Sequence, residues 1–384
     1  MRFHSNFRPG ASAFLQMMAM ALTTSALGFF VEPVCRELGF SRGSFTVYYS
    51  LMVACGALSA PVLGRYVNRN PIRRLLLASS LWCGGGLFAL SYARQLWHFY
   101  LLGAAVGPMA TGCVLICANM TVQRFVPEDR AAPVLGVVMA GSGAGGMIMS
   151  LVLPGVIEAY GWQTGYRLMG LCWFALVFGG WLLVGKESPA AEPGSHSGKK
   201  NTSPWGPGLY LLMAATLILS AGSSIQQQLP AVLAGMSLSP GRISGLMTLM
   251  TGAIALGKIL QGLLCGKIGP KKTAGLMILL YGAGFWLLDH PVTAAPGLVV
   301  LAFGMGILSA VMPMVASRIF DPGAYGAAWG VLTGINNAGA FLAAPLWGMV
   351  YYLTGSYTTA LTIAPVFLVG AWIAVVVCLK KYAR

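Results

Sequence analysis

Along the chain, apolar residues gather into long blocks separated by short polar breaks. Twelve blocks are legible, at about 11–31, 43–63, 73–93, 97–123, 132–157, 164–184, 207–233, 242–265, 273–289, 295–317, 324–352 and 358–379. Each is close to the roughly 20 residues an α-helix needs to cross a hydrocarbon core of about 30 Å. The pattern predicts an all-α membrane protein with twelve transmembrane helices. Arg2 and Arg8 precede the first block, as basic residues precede a secretory signal. Eleven more spans follow without a persuasive cleavage site, so the first block is read as span one. The longest polar break, KESPAAEPGSHSGKKNTSPWG from Lys186 to Gly206, is rich in Pro, Gly and Ser and cannot build a core. It divides the chain into an N-terminal six-helix half over 1–185, a linker over 186–206 and a C-terminal six-helix half over 207–384.

Composition agrees with the pattern: 57% of residues are hydrophobic and 9% charged, against about a quarter charged in soluble proteins. The net charge of +15 would suit a nucleic-acid surface, so its distribution decides. With a cytoplasmic N-terminus, eighteen of the 24 basic residues fall inside, among them Arg65, Arg69, Arg73, Arg74, Lys267, Lys271 and Lys272. Five fall outside: Arg36, Arg42, Arg94, Arg167 and Arg242. This is the positive-inside bias of a multi-pass protein of the cytoplasmic membrane with both termini in the cytoplasm. Nucleic acid drops out as a partner, and the lipid bilayer takes its place.

The 8 cysteines lie mostly within spans and show no CxxC spacing. Cys113 and Cys117 share a helix face but have no histidine or carboxylate nearby, which fits small-residue packing better than a metal site. No disulfide framework, metal or cofactor is expected.

The two halves repeat each other. A shift of 198 residues sets Ser41 against Ser239, Gly64 against Gly262, Arg69 against Lys267, and Arg73 and Arg74 against Lys271 and Lys272. A shift of 194 sets GSGAGG after Gly136 against INNAGA after Gly330, and Gly161 against Gly355. Internal repetition about a midplane site is how secondary transporters are built. The stretch GRYVNRNPIRR (64–74) resembles the loop motif G-x-L-a-D-R-x-G-R-R between spans two and three of the major facilitator superfamily, and GLLCGKIGPKK (262–272) resembles its weaker copy after span eight. The resemblance covers essentially the whole chain and implies two pseudo-symmetric six-helix halves, with Gly64, Asn68, Arg69, Arg73, Arg74, Gly262, Lys267 and Lys271 in the gating motif. Asn68 stands where the family usually has Asp, and Pro71 where it has Gly. The family Asp pairs with charged residues and steadies the outward-open state, whereas Asn68 accepts hydrogen bonds without a charge. ELGFSRGSFTVYYS, LPAVLAGMSLSP, GKILQG and YYLTGSY together resemble the bacterial oxalate/formate exchanger and monocarboxylate transporter branch.

One charge interrupts an apolar run in span eight, Lys258 in GAIALGKILQGLLCG (252–266). It lies about seven residues from the expected inner end of the span, roughly 10 Å deep at 1.5 Å per residue. A lysine at a helix centre costs about 2.5–3.5 kcal/mol on insertion scales. All nine carboxylates sit at span ends or in loops, so an unpaired cation facing a central cavity would bind an anion. The alternative is a lysine snorkelling to the inner surface. In the branch this chain resembles, an arginine in the matching G-R-I-x-x-G stretch holds the substrate carboxylate, and Lys258 stands at that position. Gln226 and Gln227 in span seven, Asn336 and Asn337 in span eleven, Asn119 in span four, and Tyr48 and Tyr49 in span two are further candidates. Each serves equally well as interhelical glue or as a ligand contact. Oxalate exchangers of the branch carry a second basic residue in span eleven, where this chain has neutral Asn336 and Asn337. One cation suits a monoanion better than a dianion.

GSGAGG satisfies G-x-G-x-x-G, but it lies inside span five with no strand before it, so it reads as helix packing and a bending point rather than a dinucleotide site. It also resembles the G-P-x-x-G-G signature of drug/proton antiporters, with Ser142 in place of the proline. No span carries a nucleophile and base at helical spacing, and His4, His98, His196 and His290 lie outside the spans, which argues against an enzyme. The leading expectation is a monomeric facilitator that moves a small monocarboxylate-like anion by alternating access. The runner-up is an exporter of neutral or amphipathic compounds, such as drugs or sugars. Proton coupling usually needs an intramembrane carboxylate or histidine. The nearest is Glu32 at the outer end of span one, where Pro33 suggests a helix end. Exchange is therefore favoured over proton symport. Cysteine accessibility or reporter fusions should place the 186–206 linker and both termini in the cytoplasm, and an external linker would overturn this orientation.

Overall fold

The computed structural model describes residues 3–25, 27–184, 205–227, 229, 232–233, 236, 238, 240–288, 292–354 and 358–383. Most of the 186–206 linker, and Gly355, lie outside them. The described chain is helical throughout its spans. Span one is α1 (Phe3–Ser25) with α2 (Leu27–Leu38), span two α3 (Arg42–Arg69) and span three α4 (Ile72–Ala89). Span four is α5 (Leu96–Gly107) and α6 (Val114–Phe125), joined by a π-helical turn over Pro108–Cys113. Spans five and six are α7 (Glu128–Leu183), and span seven is α8 (Pro207–Ser223) with a 3₁₀ turn over Ser224–Gln227. Then come α9 (Pro240–Ile268) and α10 (Pro270–Leu287) as spans eight and nine. Span ten is made of α11 (Ala294–Met305), α12 (Ile307–Ala310) and α13 (Met312–Ile319), and spans eleven and twelve are α14 (Pro322–Thr354) and α15 (Thr358–Tyr382).

The break between spans five and six is a sharp turn at Gly161, at φ 81° and ψ 162°, which parts Glu128–Leu183 into two helices within the gap left between the apolar blocks. That conformation is open to glycine and strained for other residues. Two expected boundaries differ. Pro33 does not end span one, because α2 continues to Leu38. Span eight reaches Ile268, three residues beyond the apolar block, since Gly266 and Lys267 remain helical.

Large apolar side chains such as Leu58, Val62, Leu151, Leu279 and Val366 point outward, where lipid would surround the bundle. Small residues turn inward, as expected where lipid tails offer helices no hydrophobic reason to associate and close packing must do so. The halves meet along two seams, α3 against α14 and α7 against α9. A Cβ on Gly64 would stand 2.2 Å from the Gly326 carbonyl oxygen and 2.9 Å from Gly330 Cα. On Gly262 it would stand 2.6 Å from both the Ala132 carbonyl oxygen and Gly136 Cα. The sequence shifts of 198 and 194 carry one set of contacts onto the other, so the repeat is realised as a pseudo-twofold pair of seams.

Both seams lie near the end of the bundle that carries the basic loops. Ala57, Ala60 and Gly64 meet Gly334, Gly330 and Gly326, while Pro133, Gly136 and Gly143 meet Gly266, Gly262 and Ala255. Farther out along α9, a Cβ on Gly252 or Gly245 would meet nothing within 4 Å. The halves are therefore apposed at the basic end and part toward the opposite face. An exposed ion pair of 3.2 Å between Glu128 and Arg318 also bridges the halves at the basic end, where solvent limits it to about 0–1 kcal/mol. The backbone contact at Gly262 is the stronger constraint. Gly262→Leu should cost about 1–3 kcal/mol of seam packing. A cysteine placed at Ala255, which faces Gly143, should then react with a water-soluble maleimide about tenfold faster. An unchanged rate would mean that the seam does not depend on this contact.

Candidate functional site

Lys258 sits ten residues before Ile268, where α9 ends, so its Cα is about 15 Å from the basic end at 1.5 Å per residue. This is deeper than the apolar block implied. The close approach of α9 to α7 puts the Lys258 carbonyl oxygen 2.7 Å from where a Cβ on Gly136 would lie. Lys258 thus belongs to the seam and not to the lipid face. Helical side chains lean toward their N-terminus, which for α9 is the end away from the basic loops. Nζ accordingly runs toward the middle of the bundle and donates to Ser142 Oγ at 2.8 Å, across the seam. Ser142 uses its own hydrogen on the Met139 carbonyl oxygen at 2.9 Å, leaving its lone pairs for the ammonium. A snorkelling lysine would point the other way, toward the basic surface.

No carboxylate among the described residues lies within ion-pair distance of Lys258. Glu128 is engaged by Arg318. Glu37 accepts from Trp162 Nε1 at 2.9 Å and Gln163 Nε2 at 2.7 Å, and lies 3.5 Å from Arg94. It ties the outer end of span one to the turn between spans three and four and to the turn between spans five and six. Glu32 is exposed on α2.

The other candidates divide. Tyr48 is buried and shares a 2.9 Å hydrogen bond with Tyr166 inside an aromatic cluster with Phe30, Phe45, Phe99 and Trp162. Tyr49 is partly buried against the same core. Asn119 is fully buried, and its amide donates to the Leu115 carbonyl of its own helix at 2.9 Å. All three lie on helices of the N-terminal half, and the buried Oδ1 of Asn119 has no partner among the described residues. Asn336 is tied through its backbone carbonyl, which accepts from Ser220 Oγ at 2.5 Å, and the buried Nδ2 of Asn337 has no partner among the described residues. The side chains of Gln226 and Gln227 lie outside the described residues.

In the gating motif, Asn68 Oδ1 accepts from the Gly326 amide at 3.2 Å and Nδ2 donates to the Gly323 carbonyl. Asn68 therefore grips the first turns of α14 across the seam. Arg73 stacks over Trp181, 4.4 Å from the ring centre. Arg69, Arg74, Lys267 and Lys271 are exposed at the basic end.

Ser142 and Gln261 were not among the candidates read from the sequence. Gln261 is fully buried one turn beyond Lys258, donates from Nε2 to the Phe303 carbonyl, and has no partner for Oε1 among the described residues. Its three-residue spacing from Lys258 was a usable signal, because it places both on one helix face. Ser142 carried no such signal beyond standing where antiporters have proline.

Residues 12–238 and 211–383 match the family model described as Major Facilitator Superfamily. The chain belongs to this superfamily. Monocarboxylate transporter 13 of Bos taurus is 25% identical over 371 residues, 94% of this chain and 86% of that protein. The multidrug resistance protein MdtG of Dickeya zeae is 26% identical over 243 residues, 61% of this chain and 59% of its own length. The crystal structure of the E. coli fucose:proton symporter FucP superposes with a TM-score of 0.76 at 16% identity, covering 97% of this chain and 99% of that one. That likeness concerns the fold. The protein is thus a multi-pass membrane transporter of a small molecule rather than an enzyme, resembling the monocarboxylate branch.

Proposed function

We propose that this facilitator moves a small organic anion with a single carboxylate across the cytoplasmic membrane by alternating access, with the basic end and both termini inside. The reading rests on one observation above all: the Lys258 ammonium is held in the seam between the halves by a neutral hydroxyl rather than by a carboxylate. An ammonium has three donors, and one neutral acceptor compensates it poorly in a low-dielectric setting. A substrate carboxylate approaching from the open face would replace a weak partner with a strong one. With neutral Asn336 and Asn337 at the corresponding level of α14, a second carboxylate would find no counter-ion. The bovine relative named for monocarboxylate transport supports the same class.

A second reading, export of neutral or amphipathic compounds, is favoured by the relative named for multidrug resistance. Uptake into proteoliposomes against labelled monocarboxylates, dicarboxylates, sugars and cationic dyes separates the two. A response to dyes or sugars alone would sink the anion reading. On that reading Lys258→Gln weakens monocarboxylate binding by about a hundredfold in a folded protein, while Lys258→Arg keeps part of it because the charge survives with a different geometry. Normal transport by Lys258→Gln would remove the lysine from the mechanism.

The same uncompensated charge bears on energy coupling. An empty carrier must carry a poorly paired ammonium through the switch, whereas a loaded one carries a neutralised pair, so exchange is faster than net flux. Glu32 remains the candidate for proton coupling. In counterflow with and without a pH gradient, internal substrate should accelerate uptake in both conditions. Strong proton-driven accumulation with no internal substrate, abolished by Glu32→Gln, would replace exchange with symport.

A further inference from the structure

The α7 to α9 seam must open at the basic end if the site is to face the other side of the membrane, and opening it withdraws Ser142 from Lys258. The ammonium then needs another acceptor, because a buried charge without one is strongly disfavoured. We propose that Gln261 Oε1 is that acceptor, a second seat for the Lys258 ammonium within its own half. The inference rests on Lys258 being the working charge of the site.

Four observations carry it. Gln261 is fully buried and its Oε1 has no hydrogen-bond partner among the described residues, a state that buried acceptors rarely tolerate unless another condition of the molecule satisfies them. Its amide orientation is fixed, because Nε2 donates to the Phe303 carbonyl on α11 and only a donor fits there. The distance suits the exchange. Lys258 Cγ and Gln261 Oε1 each lie 3.1 Å from the point a Cβ on Gly306 would occupy, so they are at most about 6 Å apart, and the three bonds from Cγ to Nζ leave a separation near the usual 2.9 Å. Gly306 itself leaves that space empty, where any larger residue would put a side chain between the two groups. Lys258, Gln261, Phe303 and Gly306 all belong to the C-terminal half, so the second seat travels with the lysine when the halves rock apart.

Gln261 is thus a positioning residue that sets how readily the empty carrier opens at the basic end. A neutral carbonyl makes that opening slow but allowed. The test needs no substrate: spin labels at Tyr66 and Ile268, both exposed at the basic end and on different halves, report opening as a widened distance in ligand-free protein in nanodiscs. Gln261→Met should lower the open population about tenfold, the size expected from losing a hydrogen bond to a charged group. Lys258→Gln in that background should restore it, since no ammonium then needs seating. Such rescue is not expected if Gln261 only fills space. Gly306→Ala, which puts a methyl group between the two groups without removing either, should lower the open population likewise and provides the reading if Gln261→Met does not fold. A Gln261→Met or a Gly306→Ala protein that opens like the wild type, or a wild type with no open population, would each overturn the proposal. Failure of the anion reading shows separately, as normal transport by Lys258→Gln.

Discussion

Two crossings in which one helix meets the bare backbone of another hold the two halves together. At Gly64 and at Gly262 a single methyl group would collide with a carbonyl oxygen and a Cα of the opposite half. In lipid, where apolar side chains gain nothing by leaving one hydrocarbon for another, such close contact is the available source of affinity between helices. It is also short-ranged, so a small rotation of one half removes it. A seam of this kind is tight when closed yet able to open, which alternating access requires.

The site departs from the symmetry of this scaffold. The repeat that carries Gly64 onto Gly262 carries Ala60 onto Lys258, and the repeat that relates the partner helices carries Ser142 onto Asn336. Ala60 is fully buried against Gly330. One seam is therefore apolar at this level and the other holds a cation bridged to a hydroxyl on the opposite half. On the proposed mechanism, placing the charge at the seam links its chemistry to the conformational change, because an anion at Lys258 competes with the bond to Ser142 that closes the interface.

Asn68 shows how a departure from a family pattern is accommodated. An aspartate at this position would accept from the Gly326 amide but would set a carboxylate oxygen against the Gly323 carbonyl. The asparagine accepts from the first and donates to the second. The charge of the motif is given up, and two hydrogen bonds to the start of α14 remain as the cap on the closed basic end. Gly266, the counterpart in the other repeat, has no side chain to offer and packs on Pro133. On that side of the molecule the polar contacts between the halves include Glu128 with Arg318 at the surface and Lys258 with Ser142 inside.

The twelve spans, the twofold repeat and the lone intramembrane lysine were legible in the sequence because each depends on residue type at a spacing: block length, an offset between two stretches, one charge in an apolar run. The blocks misplaced two helix ends, stopping span one near Pro33 where the helix runs on to Leu38 and span eight short of Ile268. Partners were not legible. Nothing local in GSGAGG marks Ser142 as the hydroxyl that receives Lys258, 116 residues away, and nothing in the spans separates Tyr48 and Asn119, absorbed into the packing of one half, from groups at the seam. Amphipathic pattern is a weak guide here, since lipid-facing and helix-facing surfaces are both apolar and the hydrophobic period that betrays a buried face in water is muted. The sequence by itself determined which residues lie within the membrane. The packing of backbone against backbone decided which polar groups meet there.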